Sequence, residues 1–319
     1  MTFEELFNKF ISYKKKRVKK SSLDSYIFRS KVFLEKFKDK NIKSFSFVQV
    51  QNFFDEFSAN HSNAYTKDLK NIVVSVFKFA VKFSYLKEEK LKTFSKIELI
   101  EKKKSLEELL EEQEKNKIIT IQDLNNIFSK IKVSEEEKFL FYFGLKTGMR
   151  IGEILAITWE DINFNENYIR VNKTFIKDKM KRTFYLDTPK TKTSMRKIFI
   201  SADLKEELLK YKELQEFNKN YFGSLYHKEK EDFIFRLRAG EHITQDNLQN
   251  SIRKIKNIYP SFHFHLLRHG FISQLVNSDV NILYVSKIVG HSNSQITEKI
   301  YSHIKEEKLK DVMLNVKIV

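Results

Sequence analysis

The chain has 319 residues, 41% of them hydrophobic, which is enough for about two domains with buried cores and too apolar for global disorder. Only 7 glycines and 2 prolines are present, too few for a turn-rich all-β protein, and there is no cysteine, which excludes disulfides, thiolate metal sites and thiol nucleophiles. With 59 Lys+Arg against 42 Asp+Glu the net charge is +17, which suits a polyanionic partner, although a lysine-rich composition alone gives the same surplus.

In chain order, apolar spacing predicts four helices in the first hundred residues. Phe3 to Tyr13 carries Phe3, Leu6, Phe7, Phe10 and Ile11 on one stripe. The second helix is expected to start near Ser21 or Ser22, either of which can cap it, and to run to about Phe37. A third covers roughly Phe47 to Phe57. The fourth, Tyr65 to Leu86, buries Leu69, Ile72, Val73, Val76, Phe77, Ala80 and Val81. This stretch holds 21 Lys+Arg against 11 Asp+Glu, the pattern of a small basic bundle. Residues 88–117 change to mixed charge with few aromatics and read as a partly helical linker; the expected division is 1–100, a linker over 101–116, and 117–319.

Beyond it, Thr120 with Asp123 and Ser134 with Glu137 have the spacing of capping boxes opening two further helices. Apolar–polar alternation in Tyr168 to Ile176, Phe184 to Leu186 and Lys197 to Ile200 predicts one small three-stranded antiparallel sheet. From Asp203 the pattern is helical again, apart from the short run Asp232–Phe235. The predicted fold class is mainly α. No run of 18 apolar residues exists and Met1–Glu5 is acidic, so a cytoplasmic protein without a membrane partner is expected.

Three segments carry chemistry: Thr147-Gly148-Met149-Arg150-Ile151-Gly152-Glu153, then His263-Phe264-His265-Leu266-Leu267-Arg268-His269, then Gly290-His291 followed ten residues later by Tyr301. Each has an ordinary explanation when taken singly. Arg150 and Glu153 have the spacing of a helix-surface ion pair. His265 and His269 stand four apart as in a zinc helix, but the glutamate of HExxH is missing and Arg268 would repel a divalent metal. Tyr301 on an amphipathic helix reads as half-buried core.

Together, in this order and at these spacings, they resemble the signature of the tyrosine recombinase (integrase) family, with Trp159-Glu160-Asp161-Ile162 and Ser302-His303 as agreeing neighbours. The resemblance covers about residues 117–319; the N-terminal bundle is similar to the family's core-binding domain in position and character only. It implies a mostly helical catalytic domain that cuts double-stranded DNA with Tyr301 as nucleophile, through a 3′-phosphotyrosyl intermediate that needs neither metal nor cofactor. Metal-free cleavage calls for positive charge on the phosphoryl oxygens, which Arg150 and Arg268 can supply as forked donors. His265 suits a base or phosphate hydrogen bond and His291 a further donor, with Glu153 and His269 in support. The family's general acid is a lysine on a β-hairpin; here Lys190 aligns best, with Lys192 as its rival.

The resemblance further implies a two-domain clamp on DNA and a homotetramer on two DNA sites working through a Holliday junction. It also implies a C-terminal helix near residues 305–319 exchanged between protomers, unless that helix folds back on its own domain. No arm-binding domain is expected before residue 1, a layout similar to Xer-type chromosome-dimer resolvases, for which a DNA translocase is a possible partner, or to short recombinases of mobile elements. The Xer-type role is the expectation. No small-molecule substrate is expected. A type IB topoisomerase, a non-catalytic DNA-binding regulator and a metal-dependent nuclease are the rivals.

Overall fold

The structure, a computed structural model, describes residues 1–100, 118–178, 181, 183–188, 195–228 and 231–290. Lys190, Lys192, His291, Tyr301, the 101–116 linker and the 305–319 segment lie outside the described residues. By chain contacts there are two compact units, residues 1–112 with 177–183, and residues 113–176 with 184–319.

The first unit is a bundle built on phenylalanine. Helices α1 (Phe3–Lys15), α2 (Lys20–Phe37), α3 (Phe47–Asn60) and α4 (Asn63–Lys82) turn their aromatic stripes inward. Phe3, Phe33, Phe45, Phe54 and Phe77 are almost wholly buried. Many ring contacts in this core are tilted or edge-on, for example Phe33 with Phe53 at 5.0 Å and 84°, a geometry that aromatic quadrupoles favour. Capping boxes Thr2/Glu5 and Ser46/Gln49 open α1 and α3, each worth about 1 kcal/mol.

One expectation is corrected in this unit. Helix α2 starts at Lys20 with Lys19 as N-cap, and neither Ser21 nor Ser22 caps it. The turn from α1 is completed at once by Arg17 and Val18 donating to the Lys14 carbonyl, so helical geometry resumes before the serines. The start of the stretch read as a partly helical linker contains a fifth helix, α5 (Glu88–Ser95). Its Phe94 is fully buried against Phe77, with ring centroids 4.3 Å apart, and Ile97 follows it into the same core. Two apolar anchors among charged neighbours are enough to dock a short amphipathic helix.

In the second unit, α6 (Ile121–Lys130) and α7 (Glu135–Thr147) open on the capping boxes Thr120/Asp123 and Ser134/Glu137. A four-residue helix α8 (Ile151–Ile154) follows, then α9 (Ala202–Phe222), α10 (Leu248–Ile258), α11 (His265–Asn277) and α12 (Ile282–Val289). Leu140, Phe141, Phe143 and Leu145 of α7 share one core with Leu204 and Leu208 of α9 and Leu266 and Leu267 of α11.

The β structure is divided differently from the single predicted sheet. A three-stranded antiparallel sheet has the order β1 (Ile162–Asn163), β2 (Tyr168–Val171), β5 (Arg196–Phe199), pairing Ile169 with Ile198 and Val171 with Arg196. A separate two-stranded sheet joins β3 (Thr174–Asp178) to β4 (Thr183–Asp187). The run predicted as one strand, Tyr168 to Ile176, therefore breaks at Asn172-Lys173. Lys173 leaves the strand line to pair with buried Asp161 at 2.8 Å and to reach Thr158 Oγ1 at 3.2 Å. Phe233 and Arg236 of the short apolar run and the residue after it make only isolated bridges, to Thr158 and His242.

Candidate active site

The first box sits where α7 ends. Gly148 closes that helix in the left-handed region, φ 61°, which side chains disfavour. A Cβ there would also meet the Phe271 ring at 2.3 Å. Thr147 returns its hydroxyl to the Phe143 carbonyl at 2.7 Å, and the reversal delivers Arg150 to the N-cap of α8. Glu153, one turn on and 3% exposed, accepts from the Arg150 main-chain N–H at 3.0 Å and from its Nη1 at 2.8 Å.

The second box opens α11. His265 is its first residue and is exposed, whereas Arg268, one turn later, is 1% exposed. Arg268 donates from Nη1 to the Gly148 carbonyl at 2.8 Å and from Nη2 to the Val289 carbonyl at 2.7 Å. The rings of His265 and His269 meet edge-on at 4.9 Å. The outer edge of His265 is open, yet desolvation of the ring, followed by His269, Arg268, His263 and Arg150, pulls its pKa down to about 4. His269 is lowered as well, by burial first and then by His263 and Arg268. Above about pH 5, His265 is thus a neutral imidazole able to accept a proton or to share a hydrogen bond.

The third box begins at the C-terminus of α12, which Gly290 closes at φ 70°. The last carbonyls of a helix lack intrahelical donors and carry the negative end of its dipole. Here three successive ones each receive an arginine from a different part of the chain. Ile288 accepts from Arg196 Nε at 2.7 Å, Val289 from Arg268, and Gly290 from Arg150 Nη2 at 3.3 Å.

Arg196 is the site residue that the sequence reading missed. It stands at the head of β5, where the pleat turns it and Ile198 inward and Lys197 outward. Its Nη1 and Nη2 reach the two Glu153 carboxylate oxygens at 3.3 and 3.0 Å. Burial alone would raise the Glu153 carboxyl; Arg196 first and Arg150 next outweigh it and hold that carboxyl below its ordinary value. A signal for Arg196 was present: arginine makes up only 10 of the chain's 59 basic residues, and this one follows a lysine-rich segment.

The structure thus brings Arg150, Glu153, His265, Arg268 and His269 together with the residues leading into His291. One buried carboxylate stands against three guanidinium groups, of which the Arg150 side chain is the most open, at 39% exposed. Such a surplus can hold a phosphate, with Arg150 as a forked donor and neutral His265 beside it. Arg268 supplies charge from behind two carbonyl bonds, so direct donation to a phosphate competes with them. Among the described residues no group of three or more His, Asp or Glu is arranged to hold a metal ion.

The sequence model of the phage integrase family matches residues 108–308. The chain is a tyrosine recombinase of the phage integrase family. It is therefore a DNA strand-transferring enzyme. Over 270 residues it is 30% identical to a XerC-like tyrosine recombinase of Caldanaerobacter subterraneus, covering 81% of this chain and 67% of that one. It is also 27% identical to the integrase of Staphylococcus phage L54a, covering 96% of this chain and 90% of the phage protein. Among solved structures, the Tn1549 transposon integrase in complex with transposon right-end DNA superposes with a TM-score of 0.72 at 19% identity, over 97% of this chain and all of the other. That last likeness establishes the fold of the recombinase. No helix among its described residues is long and apolar enough to cross a membrane.

Proposed function

We propose that this recombinase cuts and rejoins DNA at specific sites through a 3′-phosphotyrosyl bond formed by Tyr301, with strands exchanged through a Holliday junction in a tetramer on two sites. The observation that carries the reading is the convergence of Arg150 and Arg268 on the helix end that leads into His291, with the neutral His265 near both arginines, in a chain of this family. Arg150 and Arg268 bind the non-bridging oxygens as charge builds on them, and His265 with His291 completes the hydrogen bonding. Glu153 orients Arg150, and a lysine of segment 189–194, Lys190 ahead of Lys192, protonates the departing 5′-oxygen. Joining through phosphotyrosine conserves the bond energy, so religation needs no nucleotide.

Two biological roles are open to this chemistry. The XerC-like relative favours resolution of chromosome or plasmid dimers. The match to a phage integrase over nearly the full length of both chains favours a mobile element. Covalent protein–DNA complexes trapped by detergent in the source cells and sequenced decide between them. A single locus near the replication terminus supports the Xer-type role, and the ends of an integrated element support the other. EDTA should leave complex formation unchanged; its loss in EDTA would contradict the reading and indicate a metal-dependent nuclease.

A further inference from the structure

We propose that Arg196 is a positioning residue for DNA cleavage, acting on Arg150 through Glu153 and on the entry to His291 through the end of α12. The inference rests on reading this site as the one that cleaves DNA. Its side chain is 6% exposed, with Nε, Nη1 and Nη2 all donating to acceptors within the protein. Each edge of its guanidinium has a defined task. The Nη pair faces both Glu153 oxygens, and Nε faces the Ile288 carbonyl.

Glu153 is where this matters. A carboxylate buried to this degree stays ionised only with close cationic partners. Arg150 is one, but it is also the group that must turn outward to the DNA, and its side chain is the more exposed of the two. Arg196 is enclosed and approaches both carboxylate oxygens, so it keeps Glu153 charged and fixed while Arg150 engages a phosphate. Its third bond ties the same hub to the carbonyl three residues before His291. Arg196 also follows segment 189–194 in sequence by two residues, so the head of β5, next to the candidate acid in sequence, is pinned at the same point. One side chain thus ties together the first box, strand β5 and the third box.

A purely structural ion pair would stabilise the fold without being coupled to the cleavage step, and a double-substitution cycle separates the two. Single-turnover covalent attachment is measured on a nicked suicide duplex carrying the sequence recovered with wild-type protein, using Arg196→Gln, Glu153→Gln and the double variant. DNA affinity and thermal unfolding are recorded beside each rate. Arg196→Gln should slow attachment by about 10–100-fold, the range seen when outer-shell partners of an active group are removed, with DNA affinity within about threefold. In the Glu153→Gln background the same substitution should cost less than about threefold, because the route through Glu153 is already gone. Arg196→Lys, which keeps the charge but can make only part of the contact set, should fall between wild type and Arg196→Gln, and it carries the cycle if the glutamine variant fails to fold. Wild-type rates in Arg196→Gln, or an undiminished cost in the Glu153→Gln background, overturn the inference while leaving the cleavage site intact. A wild-type protein that forms no covalent complex overturns the reading of the site itself and the inference with it.

Discussion

Arg150 and Arg268 occupy equivalent places in the motif and different places in the structure, so replacing each by lysine should have different consequences. Arg150→Lys keeps the charge and loses the fork; cleavage should fall by on the order of 10²-fold, the cost of one oxyanion donor, with little change in stability. Arg268→Lys should lose cleavage on the same scale and also lower the unfolding free energy by about 1–3 kcal/mol, because the carbonyls of Gly148 and Val289 lose their donors. Near-wild-type single-turnover cleavage in either variant would make that arginine a structural partner only. His265 gives a pH signature. Its folded pKa of about 4 lies below the ordinary value of 6.5, so between those limits the unfolded chain binds the proton and the folded one does not. Its contribution therefore makes stability fall as pH drops from about 6.5 towards 4, and the imidazole followed by NMR in the folded protein should titrate near 4; a midpoint near 6.5 would contradict the environment described. Lys190 and Lys192 are separated by chemistry. A substrate with sulfur as the 5′ leaving atom needs no acid, so Lys190→Ala should cleave the natural duplex poorly and recover on the sulfur one, while Lys192→Ala cleaves both nearly normally. Recovery in Lys192→Ala alone would exchange the two assignments.

At the scale of elements, the docking of α5 is the feature most open to test. Phe94→Ala should destabilise the protein by about 3–5 kcal/mol, the usual cost of emptying a buried phenylalanine site, measured by denaturant unfolding; a change below about 1 kcal/mol would mean that α5 is peripheral to the bundle. The same helix shows where sequence reading stops. The long stripes of α1, α3 and α4 and the capping boxes at Thr2, Ser46, Thr120 and Ser134 are local patterns, of which the reading used the stripes and the last two boxes. Phe94 and Ile97 among charged neighbours give too short a pattern, and only the tertiary contact with Phe77 makes them a core. The break of the predicted strand at Asn172-Lys173 has the same origin, because the pull of Asp161 on Lys173 acts across the fold. Arg150, Glu153, His265 and Arg268 were legible from motif spacing. That three successive carbonyls at the end of α12 gather three arginines was not, since main-chain acceptors leave no trace in side-chain identity.

Across the whole molecule, a surplus of 17 positive charges and two helical units accompany membership of a family that transfers DNA strands. The chemistry and the biological role are separate questions. A phage integrase and a XerC-like recombinase both align over most of this chain, so the role depends on the DNA site, while the chemistry depends on a handful of side chains. Tyr301 is the one on which the account stands. The most direct measurement is to trap the protein on a nicked suicide duplex, digest the covalent complex and map the modified residue by mass spectrometry, in parallel with Tyr301→Phe. A 3′-phosphate on Tyr301 is expected in the wild type, and no covalent complex from the phenylalanine variant while its DNA affinity stays within a few-fold. An adduct on another residue, such as Tyr284, which is exposed on α12, or covalent attachment that survives Tyr301→Phe, would contradict it.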